Sequence, residues 1–254
     1  MNEGFDPSYF PKLASLEAGN FWFRSRNKLI VWAIRRYFPE AADMLEIGCG
    51  TGFVLSGIHE AIPALRLHGS EFLADGLPFA ASRVPGVELF QMDARKIPFK
   101  EKFDLVGAFD VLEHIQEDET VLSEIHQALR SGGGLLVTVP QHPWLWSAFD
   151  VFSRHVRRYS AGELKKKVEA AGFRVVRASS FVSLLLPAIV LSRRKPDASA
   201  GYDGLKELKK SPAVNFMLER VLDFERQWIR AGVSFPAGGS LLLAAVKKDG
   251  HVRA

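Results

Sequence analysis

The segment Met44-Leu45-Glu46-Ile47-Gly48-Cys49-Gly50-Thr51-Gly52 constrains the fold more than any other stretch of the chain. Leu45 and Ile47 suit a short buried strand. Glycines then alternate at spacing two, and a helix is expected to start near Phe53. Glycine lacks a Cβ, so such a turn admits left-handed backbone and lets a ligand lie against the main chain. The helix start aims free N–H groups and the positive dipole end at the same place. A dinucleotide fingerprint sets its third glycine three residues after the second. Here position 53 is Phe, and the third glycine comes one residue early. The Gly-Lys-Ser/Thr of a phosphate-binding loop is absent as well. The turn therefore suits a nucleoside better than a pyrophosphate. A plain glycine turn is the competing reading.

Later residues favour a ligand site. Leu67-His68-Gly69-Ser70-Glu71 ends a second apolar run with an acid, and Val87 to Asp93 ends a third in the same way. Phe103 to Asp110 forms a fourth. Acids at the carboxyl ends of consecutive strands stand where open α/β sheets bind ligands, and Glu71 is placed to bind two ribose hydroxyls. Strands near 43–47, 66–71, 87–92 and 103–109 alternate with helices near 53–60, 73–83 and 117–129. This alternation predicts a parallel sheet covered on both faces. Gly132-Gly133-Gly134 is expected to end the last of these helices and open a fifth strand, Leu135–Val139. Residues 140–160 read as a long loop, 162–171 as a helix and 173–180 as a sixth strand. A helix from Pro212 through Trp228 and a final strand, 240–246, complete the order. Residues 1–20 read as mixed and partly flexible. Phe21-Trp22-Phe23 leads into a helix that stops at Pro39.

With LEIGCGTG, SEFL, MDARKIPF, FDLVGAFDVLEHI and LRSGGGLLVTVP in order, the chain resembles the class I S-adenosylmethionine-dependent methyltransferases. Within that family it is close to the small-molecule group called type 11. The resemblance covers roughly residues 43–180, with Gly239–Lys247 as a last strand. It implies an α/β fold: a Rossmann-like, seven-stranded, mostly parallel sheet with helices on both faces and the last strand antiparallel. It also implies the cofactor S-adenosyl-L-methionine and a set of roles. Glu71 takes the ribose diol, Phe72 or Met92 faces the adenine, and Asp93 accepts the adenine amino group beside the Ala94 backbone. Backbone at Gly48 and Phe109 holds the amino-acid end, and Glu46 or Asp110 balances its ammonium. Cys49, Gly50 and Gly52 complete the loop, and His114 caps the site or packs beneath it. Arg24 or Arg26, from a lid over the cofactor, pairs the methionine carboxylate, because a guanidinium offers a carboxylate two donors. The competing use of the aromatics at 21–23 is to close one edge of the core.

The domain reading is a helical lid over 1–40, the cofactor-binding core over 41–181, a helical insertion over 182–237 placed to cap the substrate, and a core strand over 238–248. Methyl transfer from a sulfonium is a direct displacement and requires neither a metal nor a covalent nucleophile. An oxygen acceptor needs a base. The cluster Asp150, Arg154, His155, Arg157, Arg158 and Tyr159 supplies one in His155, with Asp150 as its orienting acid. His142 is second choice, and Tyr159 belongs to the same candidate group. The opposing reading is a salt-bridged cluster with Tyr159 in the core.

The Asn/Asp-Pro-Pro-Tyr expected of an amino-methylating enzyme on adenine or glutamine is missing, and so is any RNA-binding module. The Lys165–Lys167 run suits a solvated helix face. A small, hydrophobic or lipid-linked acceptor is therefore expected, and nucleic acid is not. A methyltransferase acting on RNA or protein and an NAD-type nucleotide-binding domain are the alternatives. The apolar run Phe181–Leu191 has two readings. One continues strand six into the core. The other is an interfacial element that, with Arg193, Arg194 and Lys195, touches a membrane surface through 181–195. That run is about half a membrane span. With a single cysteine and no basic-then-apolar leader, a cytoplasmic protein is expected. The 47% hydrophobic and 24% charged content suits a folded globule rather than a disordered chain.

Overall fold

The structure is a computed structural model that describes residues 6–193 and 202–248. Its centre is a seven-stranded sheet of β1 (Asp43–Ile47), β2 (Arg66–Glu71), β3 (Glu88–Gln91), β4 (Phe103–Phe109), β5 (Leu129–Pro140), β6 (Phe173–Phe181) and β7 (Ser240–Lys247). The order is β3-β2-β1-β4-β5-β7-β6, and β7 runs antiparallel between β5 and β6. This is the expected Rossmann-like sheet. Its direction of growth reverses between β1 and β4, which opens a crevice at their carboxyl ends.

Successive side chains on a strand point to opposite faces, so a sheet covered on both sides needs apolar residues at every position. Met44 of β1 joins one core with α2 (Phe21–Tyr37) and α3 (Phe53–Ala61). Ala80 of α4 (Leu77–Arg83) and Leu222 and Ile229 of α10 (Pro212–Arg230) complete it. Leu45, its neighbour, joins the other core with α5 (Asp118–Ala128) and α7 (Ala161–Ala170).

Several expectations are corrected. The first twenty residues hold α1 (Phe10–Glu17) after a short 3-10 turn whose N-cap is Asp6. Strand β5 starts at Leu129, directly after α5, and the three glycines lie inside it. A Cβ at Gly134 would sit 2.3 Å from the Phe38 ring, so the glycine makes room for that side chain. The expected loop over 140–160 contains a 3-10 turn (Pro143–Leu145) and α6 (Ala148–Phe152). Strand β6 stops at Phe181, and Val182 takes φ +58°. The chain then turns into α8 (Leu186–Arg193), in which no residue is fully buried, so the run to Leu191 does not continue the strand. Helix α9 (Gly204–Leu208) precedes α10. Of the basic, loop-like stretch expected from Arg193 through Gly204, residues 194–201 lie outside the described residues, as does the tail beyond Lys248.

Candidate active site

A cavity of about 780 Å³ opens at the carboxyl ends of β1 and β4. At its floor Gly48, Gly50 and Gly52 take φ of +66°, +53° and +75°. A Cβ on Gly52 would stand 2.7 Å from the Ala80 backbone, while one on Gly50 would meet nothing within 4 Å. The first glycine of this pair is demanded by packing against α4. The second leaves its open side to a ligand. Cys49 is buried within the turn, and burial, followed by the charges of Glu46 and Glu71, pushes its thiol far up. A thiol so held is no nucleophile.

Glu71 closes the turn. One carboxylate oxygen accepts from the Gly50 N–H at 2.8 Å and the other from the Leu73 N–H at 3.1 Å. Burial raises its carboxyl above the ordinary range, against the pull of these hydrogen bonds. Phe72, 43% exposed, and the buried Met92 and Ala94 line the adjoining wall. Asp93 also lines it, but its carboxylate is gripped by Arg95, whose hydrogen bonds hold it below the ordinary range. Lone pairs remain on a carboxylate so paired, because it accepts about four hydrogen bonds.

The opposite wall carries Glu46, Phe109 and Asp110. Glu46 is buried with one carboxylate oxygen lacking a partner among the described residues, and burial pushes it well above the usual carboxylate range while Arg26 draws it down. Arg26 pairs with Asp110, stacks over Trp22 at 4.5 Å and faces the cavity. Arg24 does not reach it. Its guanidinium is held by Glu219 of α10 at 2.6 Å and by the Ala18 carbonyl at 2.8 Å, so the expectation for Arg24 is corrected in favour of its neighbour. The helix phase contained this answer: buried Phe23, Arg26, Asn27 and Ile30 fall at spacings of three and four, and Arg24 falls outside that stripe.

Sequence reading also missed Glu17. It lies buried on α1, accepts from the Thr51 hydroxyl at 2.6 Å and pairs with Arg83, fastening α1 over the glycine turn. Phe10, Leu13 and Glu17, spaced by three and four, were the signal for that helix.

At the far end, His155 and His114 both line the cavity, their rings 4.8 Å apart. The Asp150–His155 pair forms: Nδ1 lies 2.8 Å from Asp150 Oδ1. Burial works to raise the Asp150 carboxyl, but the hydrogen bond from His155 and the charge of Arg158 hold it at about 2. The Asp150 carboxylate holds the ring by Nδ1, which leaves Nε2 as the nitrogen turned away from it. His114 is pulled down to about 3, first by burial and then by His155, so it is neutral. Beside them stands Glu113, wholly buried, to which the sequence reading assigned no role.

Two other candidates lie elsewhere. Tyr159 is fully buried in the second core, and its hydroxyl donates to Asp118 at 2.6 Å. The ion pairs of Asp118 with Arg157 and Lys167 make this a structural hub, which corrects the catalytic expectation for Tyr159. His142 has φ +64°, packs 5.1 Å from the Trp144 ring and is not among the cavity's walls. Trp144 and Trp146 are exposed outside the cavity, whereas Phe149 and Phe152 line it.

A glycine turn after β1, an acid after β2 and a reversal between β1 and β4 define a nucleoside-binding α/β protein of the methyltransferase class. The methyltransferase domain family model matches residues 21–178, more than half of the chain, and the chain belongs to this class I S-adenosylmethionine-dependent family. A probable S-adenosylmethionine-dependent methyltransferase of Mycolicibacterium smegmatis is 29% identical over 168 residues, 64% of this chain and 63% of the relative. The match to a Mycobacterium tuberculosis relative spans 58% of that protein, so the chain covers about three fifths of these relatives. A malonyl-acyl-carrier-protein O-methyltransferase of Methylococcus capsulatus is 27% identical over 78% of this chain and 71% of its own. Among solved structures, phosphoethanolamine N-methyltransferase 2 of Haemonchus contortus with S-adenosyl-L-methionine shares the fold at a TM-score of 0.60. That match has 21% identity and covers 88% of this chain and 53% of the other.

Proposed function

We propose that the protein transfers a methyl group from S-adenosyl-L-methionine to an oxygen of a small, largely apolar acceptor. The observation that carries this reading is a single cavity whose two ends differ in chemistry. One end has the glycine turn, Glu71 and Asp93, suited to a nucleoside. The other has Phe149, Phe152, Leu185 and Ile189 among its walls, together with His155, Arg158 and Arg193. Arg193 Nη1 is buried without a hydrogen-bond partner among the described residues, and burial draws its guanidinium down to about 10. A cation so placed favours an acceptor with an acidic group on an apolar body. The relative named for malonyl-acyl-carrier-protein O-methylation fits that chemistry.

Membership of the methyltransferase family displaces the NAD-type alternative. In the proposed reaction the cofactor supplies an activated methyl group, and this chain supplies alignment. Glu71 and Asp93 bind the nucleoside, and Arg26 meets the methionine carboxylate. Helices α1 and α2 act as a lid. The Nε2 lone pair of His155 stands at the acceptor end.

A lipid-linked acceptor is part of the proposal, with α8 as the approach: Leu184 and Leu191 are 42% and 66% exposed near the cavity wall. No helix among the described residues is long and apolar enough to cross a membrane. The test is methyl transfer from labelled cofactor to a panel of fatty acids, acyl thioesters, hydroxylated quinones and short RNAs. Transfer to an apolar acid or phenol supports the reading; transfer to RNA alone overturns it. Failure to float with anionic vesicles at low salt removes the membrane part.

A further inference from the structure

We propose that Glu113, His114 and His155 form a binding site for a divalent transition-metal ion at the acceptor end of the cavity. The inference rests on the methyl-transfer reading only for what the ion does, not for whether it binds. One ligand atom from each of the three residues lies within 4.8 Å of the others. All three residues line the cavity.

Glu113 points to a ligand most strongly. Its residue exposure is 0%, and neither carboxylate oxygen has a hydrogen-bond partner among the described residues. A buried carboxylate left without partners is strongly disfavoured unless a cation or a proton meets it. No arginine or lysine pairs with Glu113 among the described residues; the Arg158 guanidinium is used by Asp150 and by the Gln141 carbonyl.

The histidines are prepared in the manner of metal ligands. The ring nitrogen of His155 next to Asp150 is held at 2.8 Å, which leaves Nε2 as the donor of a lone pair. His114 Nδ1 is buried and has no hydrogen-bond partner among the described residues. His155 thus has one nitrogen fixed by an outer carboxylate, the arrangement that orients histidine on a metal, and His114 offers a buried ring nitrogen without a partner among the described residues. The backbone reinforces it: the Val156 N–H donates to the Glu113 carbonyl at 2.7 Å, tying the two contributing segments together.

Two imidazoles and one carboxylate suit zinc, manganese, cobalt or iron(II) better than magnesium or calcium. Three protein ligands leave open positions for the acceptor oxygen. An acceptor hydroxyl bound there loses its proton to solvent more readily. Its oxygen then forms the new O–CH3 bond as the S–CH3 bond breaks, and the sulfonium leaves as a neutral thioether. His155 in this scheme holds the ion rather than taking the proton itself.

The test is binding of Co²⁺, followed by its visible absorption, and of Zn²⁺ by calorimetry, to the chelator-stripped full chain. Wild type is expected to bind one ion per chain. Glu113→Gln and His155→Ala are each expected to weaken binding by at least about tenfold. S-adenosylhomocysteine affinity is measured in the same samples and stays within about threefold of wild type, since neither residue is assigned to the cofactor. Should Glu113→Gln fail to fold, His155→Ala on the cavity wall gives the same reading. No stoichiometric binding by wild type, or binding unchanged in the variants that fold, overturns the site. Loss of S-adenosylhomocysteine binding by wild type overturns the cofactor reading instead, and leaves the metal result to stand by itself.

Discussion

Glu71 is the residue on which the proposed cofactor recognition turns. Its carboxylate is already committed to two backbone N–H groups, Gly50 of the glycine turn and Leu73 beyond β2, so it has one orientation and no freedom to lose on binding. Replacing it with Gln keeps the volume and removes the charge. A charge-assisted hydrogen bond contributes about 1.5–3 kcal/mol, so Glu71→Gln is predicted to weaken S-adenosylhomocysteine binding by roughly tenfold to a hundredfold. Calorimetry checks this, and unchanged affinity would remove Glu71 from the site. Arg26 and Arg24 give a paired prediction. Arg26→Gln leaves Asp110 and Glu46 without their cation and is expected to weaken cofactor binding by about tenfold or more. Arg24→Ala cuts the ties to Glu219 and to the Ala18 carbonyl; it is expected to leave cofactor affinity within about twofold and to lower stability by about 1 kcal/mol. Equal losses of affinity in both would contradict the assignment.

At the scale of elements, legibility followed burial. Strands β1, β2 and β4 are flanked by apolar residues on both faces, and their bounds were readable in the sequence. Helix α1 was not, because its stripe carries Glu17 where an apolar residue was expected; that acid is buried against Thr51 and Arg83, which a single sequence does not reveal. Helix α8 was hidden for the opposite reason. Its run is apolar throughout, so no period separates helix from strand, and the turn at Val182 decides the matter. The segment 150–159 held both proposed readings at once: His155 faces the cavity, while Tyr159 packs in the core. Asp118 joins that segment to α5 and α7. Burial alone raises its carboxyl, but hydrogen bonds from Lys167, Tyr159 and Arg157 outweigh burial and hold it below the ordinary value. A depressed carboxyl stabilises the fold in full above its unfolded value, near 4, and the contribution is lost as pH falls through the folded value. Asp118→Asn is therefore predicted to cost about 2 kcal/mol at pH 7 and progressively less below about pH 4. Urea unfolding at several pH values checks this; a penalty that does not shrink in acid counts against the hub.

Over the whole molecule, the sheet and its cofactor end were legible because a nucleoside site is built from a continuous motif, a strand, a turn and the next strand's last residue. The acceptor end was not. It is assembled from β4's exit, the 150s segment, α8 and α9, which are distant in sequence and adjacent only after folding. The sequence reading required no metal, and Glu113 went unassigned because its buried, unpartnered state is a property of the fold. The chain also spans only about three fifths of its first relatives, so activity on a named acceptor is a matter for experiment.

The claim beneath all of this is that the turn at Gly48–Gly52, closed by Glu71, grips the nucleoside half of S-adenosylmethionine. Calorimetric titration of the purified chain with S-adenosylhomocysteine, set against NAD+ under the same conditions, tests it most directly. The account predicts one site per chain with a Kd in roughly the micromolar range, about −8 kcal/mol, and no heat with NAD+. Binding of NAD+ in preference, or no saturable binding of S-adenosylhomocysteine by a folded sample, would contradict it.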